Sequence, residues 1–95
     1  MNIRKLAAID IGSNAIRLLI NYVYEFSKSE PVFNKTALVR MPVRLGKDVF
    51  TEKKISDKSA GRMIDAMKAF RLMMDIYGVE EYLAYATSAM RESVF

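Results

Sequence analysis

A run in which large apolar residues recur at every second position constrains the fold of this chain more than any other feature. From Ala15 onward the apolar side chains of one face occupy every second position, as Ile16, Leu18, Ile20, Tyr22 and Tyr24. A period of two is that of a β-strand with one apolar face. Before this run lies the apolar stretch Leu6-Ala7-Ala8-Ile9, which is typical of a strand buried on both faces. The turn residues Gly12-Ser13-Asn14 separate the two segments. Two strands joined by so short a turn predict a hairpin.

A third extended segment follows the hairpin. Ser27 to Pro31 predicts a second turn, and Val32 to Leu45 then reads as a strand in which Pro42 favours an edge position or the end of pairing. We therefore expect three sequential antiparallel strands, over about residues 5–11, 15–25 and 32–45.

Helical periodicity begins at Ser56, an N-cap with Asp57 in the first turn, and ends before Gly78, which suits the C′ position. This predicts a helix over about residues 57–77. Apolar residues recur at spacings of three and four: Met63, Ile64, Met67, Phe70, Met74 and Tyr77. Charged residues take much of the other side: Arg62, Asp65, Lys68, Arg71 and Asp75. Methionines in such a helix favour gap-filling in a core over a metal or cofactor site.

The last part of the chain predicts a fourth strand over residues 81–86, followed by a second helix that starts at about residue 89. The chain ends at Phe95, about one turn into that helix, and one turn is too short to cover a sheet face. We expect one α/β unit whose architecture is incomplete as written.

Composition excludes several kinds of site. The 95 residues include no Cys and no His, which removes disulfides, thiolate or imidazole zinc sites and Ser-His nucleophiles. Any metal would be a hard cation on oxygen ligands. Apolar runs are too short for a signal peptide or a membrane span, so we expect a soluble, cytoplasmic protein without a membrane partner.

The net charge of +4 is concentrated between Lys35 and Lys58, a segment that contains seven basic and three acidic residues. Such a strip attracts phosphate-rich ligands, but it is also typical of a solvated edge strand and loop. Phe50 is the sole aromatic residue in the strip, so we expect no nucleic-acid partner.

Two motifs carry candidate chemistry. The first is Asp10-Ile11-Gly12-Ser13-Asn14 with Arg17 three residues later. Gly12 lets the backbone come close to a ligand, and successive N–H groups in such a turn can bind an anion. The Asp10 carboxylate suits a hydrated Mg²⁺, and the Arg17 guanidinium could bind a phosphate through two hydrogen bonds. An ordinary turn, in which Asp and Asn bond their own backbone, explains the same residues without a ligand.

The second motif, Ala86 to Glu92, lies where a strand ends and a helix begins, the place where open α/β sheets bind ligands. Ser88 is explained as an N-cap. Arg91 is not, because a cation in the first turn opposes the helix dipole by roughly 0.3 to 1 kcal/mol unless an anion lies between them. This conflict favours a bound phosphate.

The pair of motifs, A-I-D-I-G-S-N-A-x-R-L and A-T-S-A-x-R-E, resembles the start of the exopolyphosphatase and guanosine pentaphosphate phosphohydrolase family over essentially the whole chain. The resemblance implies the actin-like ATPase (ribonuclease H-like) fold, of which this chain would supply the β-β-β-α-β-α start of the first domain. It also implies hydrolysis of a terminal phosphoanhydride in inorganic polyphosphate, or of the 5′ γ-phosphate of guanosine pentaphosphate, with Mg²⁺, and a homodimer formed through further parts of the protein.

The resemblance also implies roles for individual residues. Asp10 would be the acidic catalytic group near the metal and the attacking water, and Arg17 would contact a substrate phosphate. Phosphate-loop and cleft positions would be taken by Gly12, Ser13 and Asn14, and by Thr87, Ser88 and Arg91. The catalytic-base Glu and the second, Gly-rich phosphate loop of the family are absent from these residues, so we expect no turnover by this chain alone.

Two alternatives remain open. A sugar or acetate kinase, or another ATPase of the same fold, also opens with D-x-G, but tends to place Thr after the Gly. The second alternative is a non-catalytic module that binds polyanions through the basic strip. We expect such a module to bind in a strongly salt-dependent manner and without turnover.

Overall fold

The computed structural model describes residues 1–12, 14–43 and 57–86. These ranges form four strands and one helix: β1 (Asn2–Ile11), β2 (Ala15–Phe26), β3 (Ser29–Pro42), α1 (Asp57–Tyr77) and β4 (Glu81–Ala86). The strands make one mixed sheet in the order β3-β2-β1-β4. β1 pairs antiparallel with β2, and β2 with β3, whereas β4 lies parallel to β1 on the other side.

The hairpin expected from the turn at residues 12–14 is present, and its strands are longer than predicted. β1 begins at Asn2 rather than at about residue 5, because its pairing with β2 extends to Glu25. The side-chain amide of Asn2 also donates a 3.2 Å hydrogen bond to the Glu25 carboxylate. Pairing to the far end of β2 therefore brings the first residues of the chain into the sheet.

The predicted bounds of the third strand are wrong at both ends. The second turn consists of Ser27 and Lys28 alone, so Pro31 lies within β3 rather than in the turn. β3 is an edge strand, and an edge tolerates a residue without an N–H. The strand ends at Pro42, after which the Val43 N–H donates to the Asn14 carbonyl at 3.0 Å. Residues 44 and 45 of the predicted strand lie outside the described residues.

α1 spans the residues predicted for it and packs on one face of the sheet. Gly78 follows it with a φ of 72°, the left-handed conformation that suits a C′ glycine. Ser56, the expected N-cap, lies outside the described residues. The buried core comprises Ile9, Ile16, Leu18, Ile20, Val43, Ala66, Phe70 and Met74. Met63, Met67 and Met73 pack against it, so all four methionines of the helix line the core as expected.

Two predictions about burial are wrong. The three-and-four spacing predicts Ile64 on the apolar face of α1 that packs on the sheet, yet its exposed fraction is 52%. It lines an open groove with Met67 and Tyr82, between the helix and β4, because the helix sits over β1 and β2 rather than over the β4 edge. Likewise the Leu6-Ala7-Ala8-Ile9 stretch is not buried on both faces in the described part of the chain. Ile9 is fully buried, while Leu6 and Ala8 are half-buried on the face opposite α1.

Two small residues of α1 were not predicted to be buried. Ser59 and Ala66 are each 2% exposed. The side chain of Arg62, one turn from Ser59, donates to the Ser59 hydroxyl at 3.1 Å and to the Val43 carbonyl at 3.0 Å. This contact attaches the first turns of the helix to the end of the sheet. Among the described residues, no helix has both the length and the apolarity needed to cross a membrane.

Candidate active site

The sheet brings the two motif-bearing strand ends to one edge. β1 and β4 are parallel neighbours, and their last pair is Ile11 with Ala86. The carboxyl ends of β1 and β4 therefore lie side by side at one edge of the sheet. Ligands of open α/β sheets bind at the carboxyl ends of such strands. This edge is therefore where the structure favours a site.

Asp10 and Arg17 form the central contact at this edge. They are opposite each other in the β1–β2 register, and Arg17 Nη2 lies 2.8 Å from Asp10 Oδ2. The Arg17 side chain is 55% exposed and that of Asp10 only 18%. Asp10 Oδ1 is buried and has no hydrogen-bond partner among residues 1–12, 14–43 and 57–86. Arg17 thus binds one carboxylate oxygen, and within that part of the chain the other oxygen is not paired.

The turn uses Gly12 in a different way from the expected anion-binding nest. The Gly12 N–H donates to the Ala15 carbonyl at 2.9 Å, which closes the hairpin. A Cβ at Gly12 would come within 3.2 Å of that same oxygen, so the close approach suits glycine. This N–H is therefore occupied by the backbone. The Asn14 side chain, in contrast, is exposed.

Four of the predicted site residues thus lie together at one end of the hairpin: Asp10, Gly12, Asn14 and Arg17. The other four predicted site residues lie outside the described residues, as does the expected helix from about residue 89: Ser13, Thr87, Ser88 and Arg91.

Asp10 fits a hard divalent cation better than any other described feature does. Its Oδ1 is an orphaned buried oxygen at the ligand-binding edge of the sheet. Mg²⁺ is commonly held by one or two carboxylates together with water and substrate phosphates. Residues 1–12, 14–43 and 57–86 contain no cluster of three or more acidic ligands. Of the described residues at this edge, Asp10 would hold Mg²⁺.

Sequence analysis missed the pairing of Asp10 with Arg17 and the presence of Arg40 beside them. The first pairing follows from the hairpin register. Ile11 pairs with Ile16 next to the turn, so the residues one step further out, Asp10 and Arg17, also pair. Arg40 pairs with Arg17 across β2 and β3. No local signal gives that second pairing, since the register shifts at Ile20/Asn21.

No protein-family model matches this chain. It is 37% identical over 90 residues to the bifunctional 3-dehydroquinate synthase/phosphatase of Fusobacterium nucleatum, covering 92% of this chain and 13% of that protein. It is 28% identical over 89 residues to exopolyphosphatase 1 of Mycobacterium leprae, covering 94% of this chain and 25% of the relative. The Ppx/GppA family member of Aquifex aeolicus superposes with a TM-score of 0.85 at 26% identity, covering 97% of this chain and 28% of that one.

The mixed sheet and its packed helix define an α/β segment of the actin-like ATPase fold, the fold of the Ppx/GppA structures it matches. The resemblance to the exopolyphosphatase and guanosine pentaphosphate phosphohydrolase family is confirmed, because curated exopolyphosphatases and Ppx/GppA structures match nearly the whole chain. The chain spans about a quarter of the length of those proteins.

Proposed function

We propose that this chain forms one wall of a site that hydrolyses terminal phosphoanhydride bonds. The proposed substrates are inorganic polyphosphate and the 5′ γ-phosphate of guanosine pentaphosphate. The observation that carries the proposal is the Asp10–Arg17 pair, in which a carboxylate with an unused buried oxygen adjoins an exposed guanidinium. The carboxylate suits a hydrated cation, and the guanidinium fork suits a phosphate. The similarity to proteins named exopolyphosphatases supports the same chemistry.

In this proposal Asp10 holds Mg²⁺ and orients the attacking water, and Arg17 turns its exposed guanidinium to a substrate phosphate. When bound, Mg²⁺ would offset the charge on the phosphoryl oxygens, since phosphoryl transfer depends mainly on positioning and electrostatic stabilisation. The remaining phosphate contacts are assigned to residues of the two motifs: Ser13, Asn14, Thr87, Ser88 and Arg91. Gly12, whose N–H is bonded to the Ala15 carbonyl, shapes the first phosphate loop and makes no phosphate contact of its own.

The direct test is calorimetric titration of the 95-residue chain with tripolyphosphate in the presence of Mg²⁺. We expect Arg17→Met and Asp10→Asn each to weaken binding about tenfold, because each removes a charge-assisted contact. The Asp10 result is the more diagnostic. Removing a negative charge should strengthen anion binding by simple electrostatics, so a loss indicates that Asp10 acts through the cation.

Two matched controls lie on the exposed side of α1. Arg71→Gln and Asp75→Asn make the same changes of charge as the site variants, in the second half of α1, which leads away from the strand edge that carries Asp10. Both should bind tripolyphosphate within twofold of the unchanged chain. Equal losses in control and site variants would contradict the proposal, because they would show that binding follows net charge alone.

Two other outcomes would favour the alternative functions. Micromolar ATP binding with phosphotransfer to a sugar or a carboxylate would favour a kinase of the same fold. The polyanion-binding module is favoured by the exposed Lys35 and Arg40 on the edge strand β3. That module requires binding to be lost when the basic strip is neutralised at Arg44, Lys47, Lys53 and Lys54, and to be retained in Ser13→Ala and Arg91→Ala.

A further inference from the structure

Three charged residues form a row across the sheet on the face opposite α1. The register places Arg17 opposite Asp10 on one side and opposite Arg40 on the other. The neighbours of each row residue pack in or against the core under α1: Ile9 and Ile11, Ile16 and Leu18, Val39 and Met41. Because side chains alternate along a strand, the row must lie on the other face.

The row carries an unbalanced positive charge. Asp10 binds Arg17 at 2.8 Å, and in the described part of the chain no carboxylate forms an ion pair with Arg40. Directly opposed side chains in a sheet have Cβ atoms roughly 5 Å apart, and like charges at such positions are destabilising. Two exposed arginines in this arrangement are stabilised when each of them binds a separate phosphate of one polyanion.

We propose that Arg40 is a phosphate-binding residue that, together with Arg17, holds a polyphosphate chain along this row. The inference rests on the proposed function. The chain would run from the Asp10 edge toward β3, with one phosphate on the Arg17 guanidinium and a later one on Arg40. Every unit of a polyphosphate chain is negatively charged, so a further phosphate is available for Arg40. A nucleotide has only its few phosphates, and its sugar and base carry no negative charge. Arg40 therefore makes the site selective for longer polyphosphates.

The competing explanation is that Arg40 keeps an edge strand from pairing with another chain, a common use of charged residues at sheet edges. In that case Arg40→Gln would promote self-association and leave phosphate affinity unchanged. The two explanations therefore predict different results for one variant.

The test compares long-chain polyphosphate with inorganic orthophosphate in Mg²⁺ at fixed ionic strength, by calorimetry on the 95-residue chain. Arg40→Gln should weaken binding of long-chain polyphosphate about tenfold and change that of orthophosphate, a single phosphate held at Arg17, less than twofold. Arg40→Lys, which keeps the charge but loses the guanidinium fork, should give an intermediate loss. Lys28→Gln is the control. It removes the same charge in the turn between β2 and β3, at the opposite end of the strands from the row, and should bind both ligands with unchanged affinity.

The outcomes separate this inference from the proposed function. If Arg17→Met weakens both ligands and Arg40→Gln weakens neither, the Arg40 assignment is overturned and the site at Asp10 stands. If Lys28→Gln matches Arg40→Gln, the effect is general electrostatics and the assignment is also overturned. If Arg17→Met changes neither ligand, the proposed function itself fails. Circular dichroism confirms that each variant is folded.

Discussion

The hydroxyl of Tyr22 donates a 2.8 Å hydrogen bond to the backbone carbonyl of Tyr77, and so connects β2 to the last residue of α1. The last carbonyls of a helix have no partner within the helix. The Lys5 ammonium lies 5.5 Å from the centroid of the Tyr22 ring. No basic residue occupies the last turn of α1, so β1 supplies a cation close to the negative end of the helix dipole.

Loss of the Tyr22 hydroxyl should destabilise the chain measurably. We expect Tyr22→Phe to lower the free energy of unfolding by about 1 kcal/mol, because it leaves the half-buried Tyr77 carbonyl without its partner while retaining the ring. Urea denaturation measures this change. Tyr24→Phe on the same strand is the control and should stay within about 0.5 kcal/mol. Equal effects in both variants would show that the hydrogen bond contributes nothing specific.

Two glycines should respond to alanine with opposite signs. Gly78 has a φ of 72°, and a Cβ there would lie 3.3 Å from the Lys5 Nζ, so Gly78→Ala should destabilise by about 1 kcal/mol. Gly61 lies within α1 with open space around its Cα, so Gly61→Ala should stabilise by about 0.5 to 1 kcal/mol. Thermal denaturation measures both changes: the melting temperature should fall in Gly78→Ala and rise in Gly61→Ala, relative to the unchanged chain. A stabilising Gly78→Ala would contradict it.

Sequence periodicity was sufficient for the elements that have one covered face. The alternation after Ala15 and the three-and-four spacing around Phe70 both reflect the packing of β2 and α1 against each other in one core. It was not sufficient at Pro31, since the tolerance of a proline depends on whether its strand lies at an edge. Nor was it sufficient at Ile64, where hydrophobicity alone does not say which side of a helix the sheet covers.

The candidate site was predictable in part for a similar reason. Asp10 and Arg17 belong to one local hairpin, so a motif eight residues long contains both. Arg40 reaches the same row through the β2–β3 pairing, in which irregularities at Ile20/Asn21 and Tyr24/Phe26 prevent counting from the turn. The sequence shows that residue 40 is an arginine, but it does not show the β2–β3 register that places this arginine opposite Arg17.

The core should depend on Phe70 far more than on other apolar residues of α1. Phe70 is fully buried between the helix and the sheet, whereas Leu72 is 64% exposed. We expect Phe70→Ala to cost about 3 to 5 kcal/mol, a large share of the stability of a chain this small. Leu72→Ala should change it by less than about 0.5 kcal/mol. Unfolding followed by circular dichroism distinguishes them, and similar midpoints for both variants would contradict the packing described.

Arg17 should have opposite effects on the two ligands of the proposed site. Its guanidinium lies 2.8 Å from Asp10 and therefore competes with a cation for the carboxylate, while it attracts a phosphate. Calorimetry without phosphate should show Arg17→Met binding Mg²⁺ about threefold to tenfold more tightly, a modest gain because solvent screens the exposed arginine. The same variant should bind tripolyphosphate more weakly, and Arg71→Gln should change neither affinity. If Arg17→Met instead weakens both ligands, the arginine acts by holding Asp10 in position and not as a competing cation.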